Sequence, residues 1–178
     1  MRTLLTVALL VVVAGCGTGN VATGAGYDSE GTGADLTTTP VYQDASDYLA
    51  LNGGDQGAWF DARDSISTAF DQVCGDTFCE GDYNPIRTLT FTCSVKISTG
   101  IISTCKWVFA GAYATISPTT GTITSHDKVW KCTVPLNGMK PKAFVDFVTA
   151  AGGNVLNNAL PNGRGNIYDG LGTCLTGT

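Results

Sequence analysis

Residues 88–113 read TLTFTCSVKISTGIISTCKWVFAGAY, and their alternation of apolar and polar side chains decides the fold. A period of two is typical of a strand that is buried on one face only. Between the two halves, Ser98-Thr99-Gly100 suits a short hairpin loop with glycine in the left-handed conformation. The inward set of the first strand is Leu89, Phe91, Cys93, Val95 and Ile97, and that of the second strand is Cys105, Trp107, Phe109, Gly111 and Tyr113.

A third strand is predicted from about residue 122 to residue 134, after a turn at Ser117–Gly121. Its inner face carries Trp130, Cys132 and Val134 at alternate positions. The pattern is less regular at residues 126–128, where we expect a β-bulge. The three strands form an antiparallel meander.

Helical periodicity flanks the strands on both sides. Apolar residues recur at spacings of three, four and seven between Trp59 and Val73, which predicts a helix with one buried stripe. A second helix is predicted to begin at Pro141 and to end before Gly152. We therefore expect a disulfide-stapled α+β fold, with a helix, a three-stranded antiparallel meander, a second helix and a C-terminal wrap. This order of elements resembles that of cystatin-like α+β domains.

The composition excludes some classes of protein. The chain has 178 residues, enough for one domain and a tail. Its net charge of −5 argues against sequence-independent nucleic-acid binding, which needs a basic surface. Hydrophobic residues make up 43% of the chain, which excludes a wholly disordered protein.

The N-terminus predicts export. A short cationic start precedes LLTVALLVVV, residues 4–13. As a helix this segment covers about 15 Å, half of the hydrocarbon core, so it fits a signal peptide better than a permanent membrane span. The next residues, Val13-Ala14-Gly15-Cys16, resemble the lipobox of bacterial lipoproteins.

That resemblance implies cleavage before Cys16 and acylation of this cysteine with two or three chains, palmitate among them. One chain alone holds a protein only marginally in a bilayer, whereas two or three hold it stably. Gly17 rather than aspartate follows the cysteine, which implies transfer to the outer membrane.

We accordingly divide the chain into a signal peptide at residues 1–15, a lipid anchor with a flexible acidic tether at residues 16–57, and a domain at residues 58–178. The tether is poor in large apolar side chains and cannot offset its ordering entropy by burial. Within it, Tyr48, Leu49 and Leu51 are expected to form a short helical turn that docks on the domain.

Six cysteines follow Cys16, and an even number in an exported domain predicts three disulfides. The preferred set is Cys74–Cys79, Cys93–Cys105 and Cys132–Cys174, the last of which closes the longest loop. The alternative set pairs Cys105 with Cys132, which lie symmetrically about a turn centred on Pro118 and Thr119, and Cys93 with Cys174. A zinc site is disfavoured because the spacing of CxxC pairs with histidine partners is absent.

Two groups of polar residues are candidate sites. An acidic cysteine-containing loop could supply oxygen ligands to Ca²⁺, although its spacing is not that of an EF-hand and a solvated loop is the simpler interpretation. Its carboxylates are Asp71, Asp76, Glu80 and Asp82. The single histidine, His126, is accompanied by no nucleophile motif and is expected to be an exposed strand residue.

The basic half of the chain places Lys96, Lys106 and Lys128 on strands, mostly on the face opposite the apolar row. This face is either plain solvated surface or a docking surface for an acidic protein or a polysaccharide. We expect a lipid-anchored protein of the bacterial cell envelope whose domain has a non-enzymatic binding or structural role and needs no cofactor. The alternatives are an envelope hydrolase that uses the acidic cysteine loop and a protease-inhibitor-like module.

Overall fold

The computed structural model describes residues 40–74, 83 and 85–176, all within a unit that begins at Thr39. Four strands in this part of the chain form one antiparallel sheet in the order β1-β2-β3-β4, and four α-helices accompany them. The elements are β1 (Tyr42–Asp44), α1 (Ala45–Leu51), α2 (Gln56–Cys74), β2 (Ile86–Lys96), β3 (Ile101–Ile116), β4 (Ile123–Val134), α3 (Pro141–Ala151) and α4 (Ile167–Thr176). The predicted α+β class is confirmed.

The core lies between the inner face of the sheet and helices α2 and α3. Trp59 and Phe70 of α2 point into it, and Phe144 of α3 lies 5.5 Å from Trp59, centroid to centroid. Aromatic side chains of the sheet meet them: Trp107 is 5.7 Å from Phe70 in an edge-on contact. Such tilted and edge-on contacts are the favoured geometries between aromatic rings. The helical stripe predicted around Trp59 and Phe70 therefore packs as expected.

The first hairpin agrees with its prediction at its cysteines and at Gly100, but its loop is one residue longer. Lys96 pairs with Ile101, so residues 97–100 form the loop, and the register shifts between Ser94 and Val95. Cys93 lies directly opposite Cys105 in the ladder, and the two form a disulfide. Gly100 closes the turn with φ +66°, a conformation that side chains other than glycine rarely adopt, and its N–H donates to the carbonyl of Lys96.

The second hairpin differs from its prediction in register. Its pairs run without interruption from Cys105↔Val134 to Ile116↔Ile123, so the bulge predicted at residues 126–128 is wrong. Trp107, not Cys105, lies opposite Cys132. The alternative Cys105–Cys132 disulfide is therefore excluded, because Cys105 is bonded to Cys93 and Cys132 to Cys174.

A β-bulge is found instead in β2, between Thr88 and Thr90. The extra residue, Leu89, is 59% exposed, whereas the alternation predicted it to face inward. The bulge turns Thr88 toward α2, where its hydroxyl lies 2.6 Å from that of Ser67. One additional residue has thus changed which face of the sheet this part of β2 presents.

The folded domain begins earlier than residue 58. Tyr42–Asp44 pairs with residues 94–96 of β2, and α1 follows at once with the Asp44 side chain accepting from the N–H of Ser46. Ala45 and Leu49 of α1 are buried. Residues 42–51, which the sequence analysis assigned to the tether, therefore belong to the sheet and core, with α1 where the short helical turn was expected.

The predicted C-terminal wrap is helix α4, which packs along β4. The backbone approaches closely at Gly170, where an added Cβ would lie 3.7 Å from the carbonyl oxygen of Thr133. The disulfide Cys132–Cys174 joins the two elements, as predicted, with Cα atoms 5.6 Å apart. Cys74 is also disulfide-bonded, and its predicted partner, Cys79, lies outside the described residues.

Candidate binding surface

Helices α2 and α3 cover one face of the sheet, and the opposite face, here called the outer face, is largely exposed. Lys96 and Lys106 lie on it, as predicted, among exposed threonines such as Thr92. The ammonium of Lys106 donates to the hydroxyl of Thr133 on the neighbouring strand. This part of the outer face is polar and positively charged.

Farther along the same face, the outward residues of β3 become aliphatic. Ile116 and Ile123 lie opposite each other at the end of the second hairpin, and their side chains are 68% and 67% exposed. Between them and Lys106, the outward positions of β3 carry only small or aliphatic side chains: Val108, Ala110, Ala112 and Ala114. Along β3, the outer face therefore changes from cationic at Lys106 to aliphatic at Ile116.

The second hairpin extends past the end of β2, because β2 begins at Ile86 opposite Gly111. We call residues 111–128 the hairpin arm. On its inner side, Tyr113 lies directly opposite His126, with ring centroids 4.6 Å apart and planes inclined by 15°. This pair is a nearly parallel stack.

Two further aromatic residues adjoin that stack. Tyr83 packs edge-on against Tyr113 at 5.1 Å and edge-on against Trp130 at 5.6 Å. We call Tyr83, Tyr113, His126, Lys128 and Trp130 the aromatic cluster. Tyr83, Tyr113 and His126 are half-buried, so the cluster is held by packing and still reaches solvent.

Lys128 contributes a cation to the cluster. Its Nζ atom lies 5.0 Å from the centroid of the Trp130 ring and 5.6 Å from that of Tyr83, both within cation–π range. Lys128 therefore lies on the same face as Trp130, not on the outer face with Lys96 and Lys106. Among the described residues it has no carboxylate within ion-pair distance.

Gly111 makes room for the cluster. A Cβ at this position would lie 3.1 Å from the Cβ of Tyr83 and 3.3 Å from Cζ3 of Trp130, closer than most Cβ contacts. A glycine inside a strand commonly marks such a close approach. At the base of the cluster, the indole N–H of Trp130 is buried and has no hydrogen-bond partner in the described part of the chain. A buried donor without a partner is uncommon in native proteins.

His126 differs in environment from its prediction. It lies on a strand, as expected, but is half-buried by its stack on Tyr113, and its Nε2 atom is 3.4 Å from the hydroxyl of Thr115. It is therefore part of the aromatic cluster.

The proposed calcium ligands are described only at Asp71. This residue is exposed and pairs with Arg87 at 3.6 Å, whereas Asp76, Glu80 and Asp82 lie outside the described residues. In the ranges that the structure covers, no three His, Cys, Asp or Glu side chains are grouped as metal ligands would be. Calcium binding therefore stays a prediction, and Cys16 likewise lies outside the described residues.

No family model, no curated protein and no solved structure matches this chain. Within the described residues, no helix combines the length and the hydropathy that crossing a bilayer requires.

Proposed function

We propose that this chain is a lipid-anchored protein of the bacterial cell envelope and that its domain has a non-enzymatic binding role. The observation that carries the anchor is the apolar segment of residues 4–13 followed at once by Val13-Ala14-Gly15-Cys16. A lipid attached to Cys16 would keep the domain at a membrane surface. Glycine rather than aspartate at position 17 favours transfer to the outer membrane.

The domain supports a binding role because it presents distinct chemical surfaces on a cross-linked sheet. Lys96 and Lys106 on the outer face would attract an acidic protein or an anionic polysaccharide. The aromatic cluster on the inner side of the hairpin arm offers ring faces together with one cation. Apart from Tyr83, which precedes β2, both surfaces lie on strands that the Cys93–Cys105 and Cys132–Cys174 disulfides tie to neighbouring elements, so they are positioned in advance of binding.

Acylation is tested by labelling. The full chain is expressed in a Gram-negative host that is fed radioactive palmitate, and the membranes are then fractionated. We expect label in the wild-type protein and none in Cys16→Ser. The variant should also be absent from the outer-membrane fraction.

Gly17→Asp is the matched control. It keeps the cysteine and should keep the label, while the sorting rule implied by the lipobox retains it in the inner membrane. An unlabelled wild-type protein, or a Cys16→Ser variant that keeps both its label and its location, would refute the anchor.

A further inference from the structure

We infer that the aromatic cluster binds a carboxylated sugar unit of an anionic polysaccharide. This inference rests on the proposed binding function and names the ligand class for one surface. It differs from the outer-face interpretation because it places recognition on the inner side of the hairpin arm.

The aromatic cluster is held firmly by its neighbours. Tyr113 and His126 are register partners on adjacent strands, and Tyr83 is braced against Gly111 and Trp130. Side chains fixed by packing lose little rotamer entropy when a ligand arrives. The cluster is thus organised before binding.

The shape of a sugar ring suits the aromatic cluster. A pyranose ring has a face of C–H groups and a rim of hydroxyls. Tyr113 and Tyr83 are half-buried, so part of each side chain is open to such a face, although His126 covers one face of the Tyr113 ring. The cluster also borders hydrogen-bonding groups for the rim. Those groups are the two phenolic hydroxyls, the imidazole of His126 and the hydroxyl of Thr115, which is 3.4 Å from that imidazole.

Lys128 gives the aromatic cluster a positive charge. Lys128 is exposed, lies over two rings and has no ion-pair partner among the described residues. Its ammonium group can therefore donate to a ligand carboxylate, and a charge-assisted hydrogen bond is stronger than a neutral one. Asp127, which precedes Lys128 in sequence, lies at an outward position opposite Ala112. Asp82, which precedes Tyr83, lies outside the described residues. A uronate unit thus fits the cluster better than a neutral sugar.

Aromatic rings also stack on nucleobases, so single-stranded nucleic acid is the competing ligand class. Nucleic-acid grooves follow the phosphate backbone with a row of cations, whereas Lys128 is the one lysine or arginine of the cluster. A single carboxylated sugar unit needs only one cation, which Lys128 supplies.

The test uses the full mature chain with Cys16→Ser, titrated with alginate oligosaccharides as the carboxylated probe and with maltotetraose as the neutral probe. Tryptophan fluorescence reports binding at the cluster, because Trp130, although only 7% exposed, lies 5.0 Å from the Lys128 ammonium that would bind the carboxylate. Trp59 and Trp107 lie in the core away from Lys128. We expect alginate fragments to change this fluorescence saturably and to bind more weakly as salt is added.

Variants locate the site. We expect Lys128→Ala to weaken alginate binding about tenfold, as for the loss of one charge-assisted hydrogen bond, and Tyr113→Ala about fivefold. Lys131→Ala, an exposed lysine at an outward position of β4, is the matched control and should bind like wild type. Gly111→Ala should weaken binding by displacing Tyr83, while far-ultraviolet circular dichroism shows that the secondary structure is kept.

Several outcomes would overturn the inference. These are no alginate binding at millimolar concentration, equal binding of maltotetraose, an equal loss in Lys131→Ala and Lys128→Ala, or tighter binding of single-stranded DNA at the same residues. The anchor would survive each of them, since palmitate labelling of Cys16 is measured separately. The two proposals can therefore fail independently.

Discussion

Two glycines with the same backbone conformation have different neighbours, and the difference predicts different costs of substitution. Gly100 and Gly121 have φ values of +66° and +71°. At Gly100 the phenolic oxygen of Tyr48 occupies the space that a Cβ would need, whereas nothing lies within 4 Å of the corresponding position at Gly121. The first glycine is required for packing as well as for conformation.

We therefore expect Gly121→Ala to lower the free energy of unfolding by about 1 kcal/mol, the cost of a positive φ alone. Gly100→Ala should lower it by about 2–3 kcal/mol, because Tyr48 must also give up its packing against the hairpin. Urea denaturation of both variants measures the difference. Equal midpoints would show that Tyr48 contributes nothing at this turn.

At the scale of elements, the two described disulfides close loops of different length. Cys93 and Cys105 are 12 residues apart, and Cys132 and Cys174 are 42 residues apart. In the chain-entropy model, the longer loop is worth about 4 kcal/mol and the shorter about 3 kcal/mol. The longer one also attaches α4, which is too short at ten residues to be stable alone.

Replacing both Cys132 and Cys174 by alanine should therefore destabilise the domain more than replacing Cys93 and Cys105. Hydrogen exchange should also show loss of amide protection in α4 while β2 and β3 stay protected. The paired variants serve as controls for each other. Retained protection in α4 would mean that packing against β4 holds the helix without the bond.

The alternation of residues 88–113 was sufficient to predict β2, β3 and the first hairpin, because one face of each strand is buried. It failed at Leu89, where the bulge places two residues of β2 against one of β3. A bulge depends on the partner strand, so a single strand's pattern does not reveal it. Strand β1 was not predicted either, because its three residues are too few for an alternating pattern to be recognised. Helix α4 was also not predicted as a helix, because it contains Gly170 and Gly172 and glycine is a poor helix former.

The cluster was predictable only in part. Tyr113 and Trp130 were expected on the inner face. Lys128 is two residues from Trp130 on the same strand, so strand alternation places it on the same face. The stack of Tyr113 on His126 depends on the register of the second hairpin, which the sequence analysis placed two residues away by centring the turn on residues 118–119. The contact of Tyr83 with Gly111 joins segments far apart in sequence, and no local pattern encodes it.

At the scale of the whole molecule, the N-terminal boundary of the domain decides its stability. A chain shortened to begin at Pro40 keeps β1, α1 and the buried Leu49, whereas one that begins at Gly54 loses them but keeps the cap of α2 by Asp55. We expect the first to be as stable as the mature chain and the second to be less stable by about 3 kcal/mol, mainly from lost apolar burial. Thermal unfolding of both chains measures this. Equal melting temperatures would mean that residues 42–51 add no stability to the domain and belong to the tether.

The short edge strand also decides how the molecule would respond to mechanical tension. A pull transmitted from the N-terminus reaches β1 and α1 before it reaches Cys74, the first disulfide-bonded residue of the described part of the chain. β1 is held by only three residue pairs, so it would peel from β2 first. Residues 42–54 would then unfold to an extended length of up to about 45 Å, while the cross-linked sheet kept its shape.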